Sequence, residues 1–169
     1  MTRLSTGALL VVAVALAGFT ATAVFADSRE GTSPLLIRAQ LTKWPLPTRN
    51  PPPRIERDEH GRVVSLMLDG MLLEPGDVDM IRSFRHLKRL SLSYTTISDQ
   101  ELARLADLPR LEGIRLNYTG IGDDGVASLA KFPQLKSVCM FKVHASPASV
   151  RALKSERRQL GIGYVPLGN

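Results

Sequence analysis

Side chains able to do chemistry are few and scattered in this 169-residue chain. The three histidines, His60, His86 and His144, fall at unrelated places. They offer neither metal-ligand spacing nor a Ser-His-Asp arrangement. No glycine-rich loop leads into a helix in a phosphate-binding pattern. Cys139 is the single cysteine, which excludes an internal disulfide framework. It is either a small filler, as buried cysteines usually are, or a leftover thiol able to pair or react. Asp99, Asp123 and Asp124 come nearest to paired carboxylates for acid–base work. Acids at the start of a helix have an ordinary structural use there, which accounts for them. Calcium would need more oxygen ligands than this group supplies. The expectation is no enzyme, no cofactor and no metal, with an unrecognised catalytic site as the last alternative.

A second group of residues has the types that binding surfaces use: Arg89, Tyr94, Arg115, Asn117, Tyr118, Phe141 and Lys142. Aromatic and arginine side chains dominate hot spots of protein recognition. Their spacing points to the elements that carry them. Cut into blocks of 24 from Val63, the chain runs to Arg158 without a gap. Seven positions of the block (1, 4, 6, 11, 16, 19 and 22) are apolar in 27 of 28 cases, Glu156 being the exception. About 12 would follow from the 44% apolar composition, so this is an internal repeat. Positions 4 and 6 alternate with polar residues, as in Leu66/Leu68 and Leu90/Leu92, which is a strand period. Positions 16, 19 and 22, such as Leu102, Leu105 and Leu108, step by three along one face of a short helix. Ser98-Asp99-Gln100-Glu101 reads as a capping box. Ser146-Pro147 and Glu74-Pro75 place proline in a first helical turn, and Gly122-Asp123-Asp124 places acids at the positive helix end.

The consensus LxxLxLxxTxIxDxxLxxLxxLP over residues 63–158 resembles the leucine-rich-repeat family, in its 24-residue bacterial exported form. That resemblance implies an α/β solenoid of four strand–turn–short-helix repeats, 63–86, 87–110, 111–134 and 135–158, with a parallel sheet. Strands about 4.8 Å apart under helices needing 8–10 Å put the sheet on the concave side. Thr95 and Thr119 match the family at position 9, where a side chain bonds into the turn; Met71 and Val143 depart. Terminal repeats are commonly degenerate, serving as caps. Residues 55–62, with Asp58-Glu59-His60-Gly61 as the turn, read as a hairpin cap. Ile162 and Tyr164 continue positions 4 and 6, so 159–169 reads as a closing strand. Positions 3, 5, 7 and 8 are then expected to be exposed on the sheet. Tyr94 and Tyr118 would be either a hot spot or a ladder packed over the turn; composition alone does not separate the two.

Residues 1–26 read as a signal peptide: Arg3, an apolar stretch from Ala8, and small residues up to Ala26. If uncleaved, residues 8–25 could anchor the chain in a membrane. Residues 27–54 read as a proline-rich linker with a short helix at 34–43. The net charge of +6 is spread without a basic stripe interleaved with aromatics, so no nucleic-acid partner is expected. The leading expectation is an exported, non-catalytic module that binds a protein through its sheet. The alternative is an envelope component held by the N-terminal segment. Asn117-Tyr118-Thr119 also matches a glycosylation sequon, relevant only in a eukaryotic secretory route.

Overall fold

The computed structural model describes residues 54–74 and 76–168. The signal segment and the linker with its short helix lie outside the described residues, apart from Arg54. Six strands form one sheet in chain order: β1 (Arg54–Arg57), β2 (Val63–Met67), β3 (Arg89–Ser91), β4 (Gly113–Arg115), β5 (Ser137–Val143) and β6 (Gly161–Pro166). β1 pairs antiparallel with β2, and every later pairing is parallel. Ser65, Arg89, Gly113, Ser137 and Gly161 lie side by side, each 24 residues beyond the last. The period seen in the sequence is thus the strand-to-strand register. This is a leucine-rich-repeat-like α/β architecture.

Each parallel crossover carries one short helix: α1 (Asp77–Ser83), α2 (Asp99–Arg104), α3 (Asp123–Ser128) and α4 (Pro147–Glu156). α2 and α3 tighten into 3-10 turns at Leu105–Asp107 and Leu129–Lys131. A spacing of three fits a 3-10 turn better than a continuing α-helix, because residues i and i+3 then lie on one line. Ser98 forms the expected capping box with Glu101, and Ser146 accepts the N–H of Ser149 ahead of Pro147. The expected proline start of the first helix is not found. α1 begins at Asp77, after Gly76 turns the chain at φ 100°. The Asp77 carboxylate accepts the N–H of Glu74 at 2.7 Å, and the Asp77 N–H donates to Glu74 O at 3.0 Å. That pair closes a turn ahead of the helix.

The apolar positions of the blocks form one core. All of them are buried except Leu73 and Val150, which pack partly buried against it. Burying one such Leu or Phe side chain stabilises the fold by about 1.5–3 kcal/mol. Position 9 joins this core whatever its residue type. Met71 and Val143 are buried directly, while Thr95 and Thr119 donate their hydroxyls to Leu92 O and Leu116 O at 2.7 Å. The threonines can be buried because their hydroxyls are satisfied.

Asparagine and aspartate side chains tie one block to the next. Asp69 accepts the N–H of Ser93 and the hydroxyl of Ser91, and Asn117 accepts the N–H of Phe141 at 2.9 Å. On the helix side, Asp99 accepts the N–H of Gly122 at 2.9 Å, and Asp123 accepts the N–H of Ser146 at 2.6 Å. Gly125 lets Asp99 do this, since a Cβ there would lie 2.3 Å from the Asp99 carboxylate. The hairpin cap is held by Asp58, which accepts from the N–H groups of His60 and Arg62 and from the Arg62 guanidinium. Partial desolvation raises the Asp58 pKa, but the bonds from Arg62 and His60 outweigh it and bring it to about 2.

Candidate functional site

At the ends of β2 to β5 the chain bends through one residue with left-handed backbone. These residues are Gly70 (φ 75°), Tyr94 (φ 58°), Tyr118 (φ 55°) and Lys142 (φ 57°), again 24 apart. Left-handed backbone costs roughly 1–2 kcal/mol for a residue with a Cβ, whereas glycine enters it freely. Two of the four positions nevertheless carry tyrosine. The consequence is geometric. The turn throws both rings outward over adjacent strands, where they stack at 4.5 Å between centroids and 9° between planes. An aromatic pair of this kind contributes about 0.5–1.5 kcal/mol beyond burial. Both rings stay half in solvent, at 45% and 50% exposure.

Phe141 continues this row on β5. It is 41% exposed, and its ring edge lies 3.3 Å from the place a Cβ on Gly163 of β6 would occupy. Val165, its register partner, and Leu167 are exposed beyond it. An aromatic and aliphatic strip therefore runs along the C-terminal ends of β3 to β6. Lys142 sits half-buried at its margin. Arg115 projects from the last residue of β4 on the same face, exposed and without an ion pair among the described residues.

Two members of the expected cluster stand differently. Arg89 is not beside the tyrosines. It lies five residues before Tyr94, hence about 16 Å away along the strand, and its guanidinium pairs with Glu56 of β1 at 2.6 Å. Asn117 is in the right place, but its carbonyl oxygen is taken by the Phe141 N–H. Part of the sheet face expected to be open is closed. Ser65 is 0% exposed beneath the Glu56–Arg89 pair, which joins its neighbours on either side. Ser91 and Ser93 are buried by their bonds to Asp69. Strand alternation shows which face a side chain takes, and longer neighbours decide whether water reaches it.

The other candidates resolve into structural parts. Cys139 is half-buried opposite Gly163, its sulfur 3.8 Å from the place a Cβ would occupy. The bond from Ser146 N–H, with those of the Ser149 and Ser146 side chains, holds the Asp123 carboxyl below the usual carboxylate range. Ser98, Asp99, Asp124 and Lys131 line a shallow open groove on the helix side. Asp99 turns one oxygen from it to the Gly122 N–H. Among the described residues, no group of three His, Cys, Asp or Glu is placed to hold a metal. None of their helices is long and apolar enough to cross a membrane.

No family model matches the chain. No curated protein matches it either. Sixteen chains of solved structures do. One of them, described as the crystal structure of PEPR1-AtPEP1, is 18% identical with a TM-score of 0.41; the match covers 66% of this chain and 19% of that one. The chain thus spans about a fifth of that protein's length. The repeat register described above, rather than this likeness, defines the class of fold.

Proposed function

We propose that the protein is a non-catalytic module that binds a polypeptide along the strip formed by Tyr94, Tyr118, Phe141 and Val165, with Arg115 and Lys142 at its margin. The stacked Tyr94–Tyr118 pair carries this reading. Gly70 shows that the turn is met by glycine without strain, so the two tyrosines are held against a backbone cost. Large, rigid aromatics at the surface give much contact area for little lost side-chain freedom, and they are frequent anchors of recognition. Arg115 supplies an exposed charge for a partner's carboxylate or carbonyl groups.

Replacing both tyrosines with glycine keeps the left-handed turns and removes the rings. The double variant is expected to melt cooperatively like the wild type and to lose at least tenfold in affinity for a captured peptide, about 1.4 kcal/mol. Undiminished binding by that variant moves the site off this strip. The same reading takes the chain to be exported through residues 1–26. N-terminal sequencing of the mature protein tests that: a start at Asp27 supports cleavage, and an intact start favours the anchored envelope component.

A further inference from the structure

The outer edge of β6 is unpaired among the described residues, because β6 ends the strand order. The N–H of Gly161 donates inward to Lys136 O, and that of Leu167 to Val143 O, both at 2.9 Å. Backbone groups alternate sides along a strand. Ile162 and Tyr164 therefore aim their N–H and C=O groups away from β5. Residues 159–169 contain no charged side chain, so nothing in the strand itself repels a neighbour. Natural sheets usually guard such edges with charge. β1 does so, with Arg54, Glu56 and Arg57 among its four residues. The core is also incomplete at β6. Positions 4 and 6 are at most 2% exposed in β2 to β5, while their equivalents Ile162 and Tyr164 are only partly buried.

We infer that β6 is a self-association edge, at which a second copy of the chain pairs antiparallel around a two-fold axis through Gly163. The geometry selects this occupant. A two-fold edge contact needs a strand complementary to itself, and an uncharged strand flanked by small and apolar residues is. With Gly163 opposite the partner subunit's Gly163, Ile162 and Tyr164 exchange hydrogen bonds with the partner's Tyr164 and Ile162. All outward N–H groups of β6 are then satisfied, Pro166 having none. The same pairing lays isoleucine against tyrosine on the core side, a favourable cross-strand combination. It covers the half-open end of each core. The two copies of α4 are separated by three strand spacings, about 14 Å, which exceeds the 8–10 Å that packed helices need. The antiparallel arrangement also keeps the cationic run Arg157-Arg158 of one copy far from that of the other.

Sedimentation velocity of the full chain from micromolar to submillimolar concentration is expected to show a reversible dimer. Amide exchange at Ile162 and Tyr164 should slow as the dimer fills. Val165→Lys, at an exposed site, puts an unpaired cation on the edge opposite the partner's Gly161, and is expected to weaken the dimer without lowering Tm. The pair Gly161→Glu with Val165→Lys faces each new acid with the partner's new base and is expected to restore it. A monomer throughout overturns the proposal, as does a dimer that Val165→Lys leaves unchanged. Protection of the two amides in a monomer shows the edge covered by the chain itself, also against the proposal. Growth beyond the dimer shows head-to-tail pairing of β6 with β1 and counts against the two-fold arrangement.

Discussion

The two ends of the sheet solve the same problem in opposite ways. Each terminal strand must stop the pairing and cover the last layer of core. At the β1 end the chain doubles back as a hairpin, places three charges in four residues, and seals Ser65 under the Glu56–Arg89 pair. Val63, Leu66 and Leu68 beneath it are fully buried. At the β6 end a single uncharged strand covers β5 and leaves Ile162 and Tyr164 partly in solvent. Both terminal strands leave their core-side residues partly buried, Ile55 as well as Ile162 and Tyr164, and only the β1 end adds a charged rim.

The largest expected effect that sharpens this contrast lies in the core. Leu66→Ala should cost about 2–5 kcal/mol. Ile162→Ala, on a side chain still partly in water, should cost about 1–2 kcal/mol at low protein concentration, in urea titrations analysed together. Equal costs at every concentration would break the contrast. A cost for Ile162→Ala that grows with concentration would mark the cover supplied by a second copy. Next comes the turn residue. Gly70 meets the left-handed turn at the β2 end, whereas Lys142 meets it at β5. Lys142→Gly is expected to stabilise by up to about 1 kcal/mol, and Tyr118→Ala to be less stable than Tyr118→Gly by about 1 kcal/mol, measured as shifts in Tm.

Acid acts on the hairpin through Asp58. The folded-state pKa of Asp58 is lowered to about 2 from an ordinary 3.8. A lowered carboxylate pKa adds stability above the unfolded value, and that contribution is lost as pH falls from about 4 through about 2. Amide exchange in the Asp58–Arg62 turn should therefore rise over that interval, while exchange at β6 does not. Asp58→Asn should remove the pH dependence. The smallest effect is expected at Glu56→Gln, where an exposed ion pair contributes only about 0.2–1 kcal/mol, and less in high salt.

How far the amino-acid pattern reveals this molecule differs by layer. The core was legible because burial needs apolar residues at every repeat, and Leu90, Ile114 and Val138 announce one strand position through three blocks. The hairpin at Asp58–Gly61 and the closing strand at Ile162 and Tyr164 were legible from turn chemistry and register. The surface was not. Nothing local distinguishes Ser65, which is sealed, from Ser137, which is open; the difference is whether Glu56 and Arg89 meet overhead. Asp69 and Asn117 gave no sign that they serve the backbone of the next block, since their partners lie 24 residues away. The 24-residue interval did bring Tyr94 and Tyr118 together, but their stacking depends on a left-handed turn that tyrosine does not advertise.

Arg157 bears on how the molecule comes apart. From the end of α4 its guanidinium donates to the carbonyls of Ala130 and Phe132, in the block before its own, and to that of Leu135, the first residue of its own block. Peeling the last block away would strand the Ala130 and Phe132 carbonyls in a partly dry setting at once. Linear arrays otherwise tend to fray from their ends, one unit at a time. With this clasp, the last block and the one before it melt together.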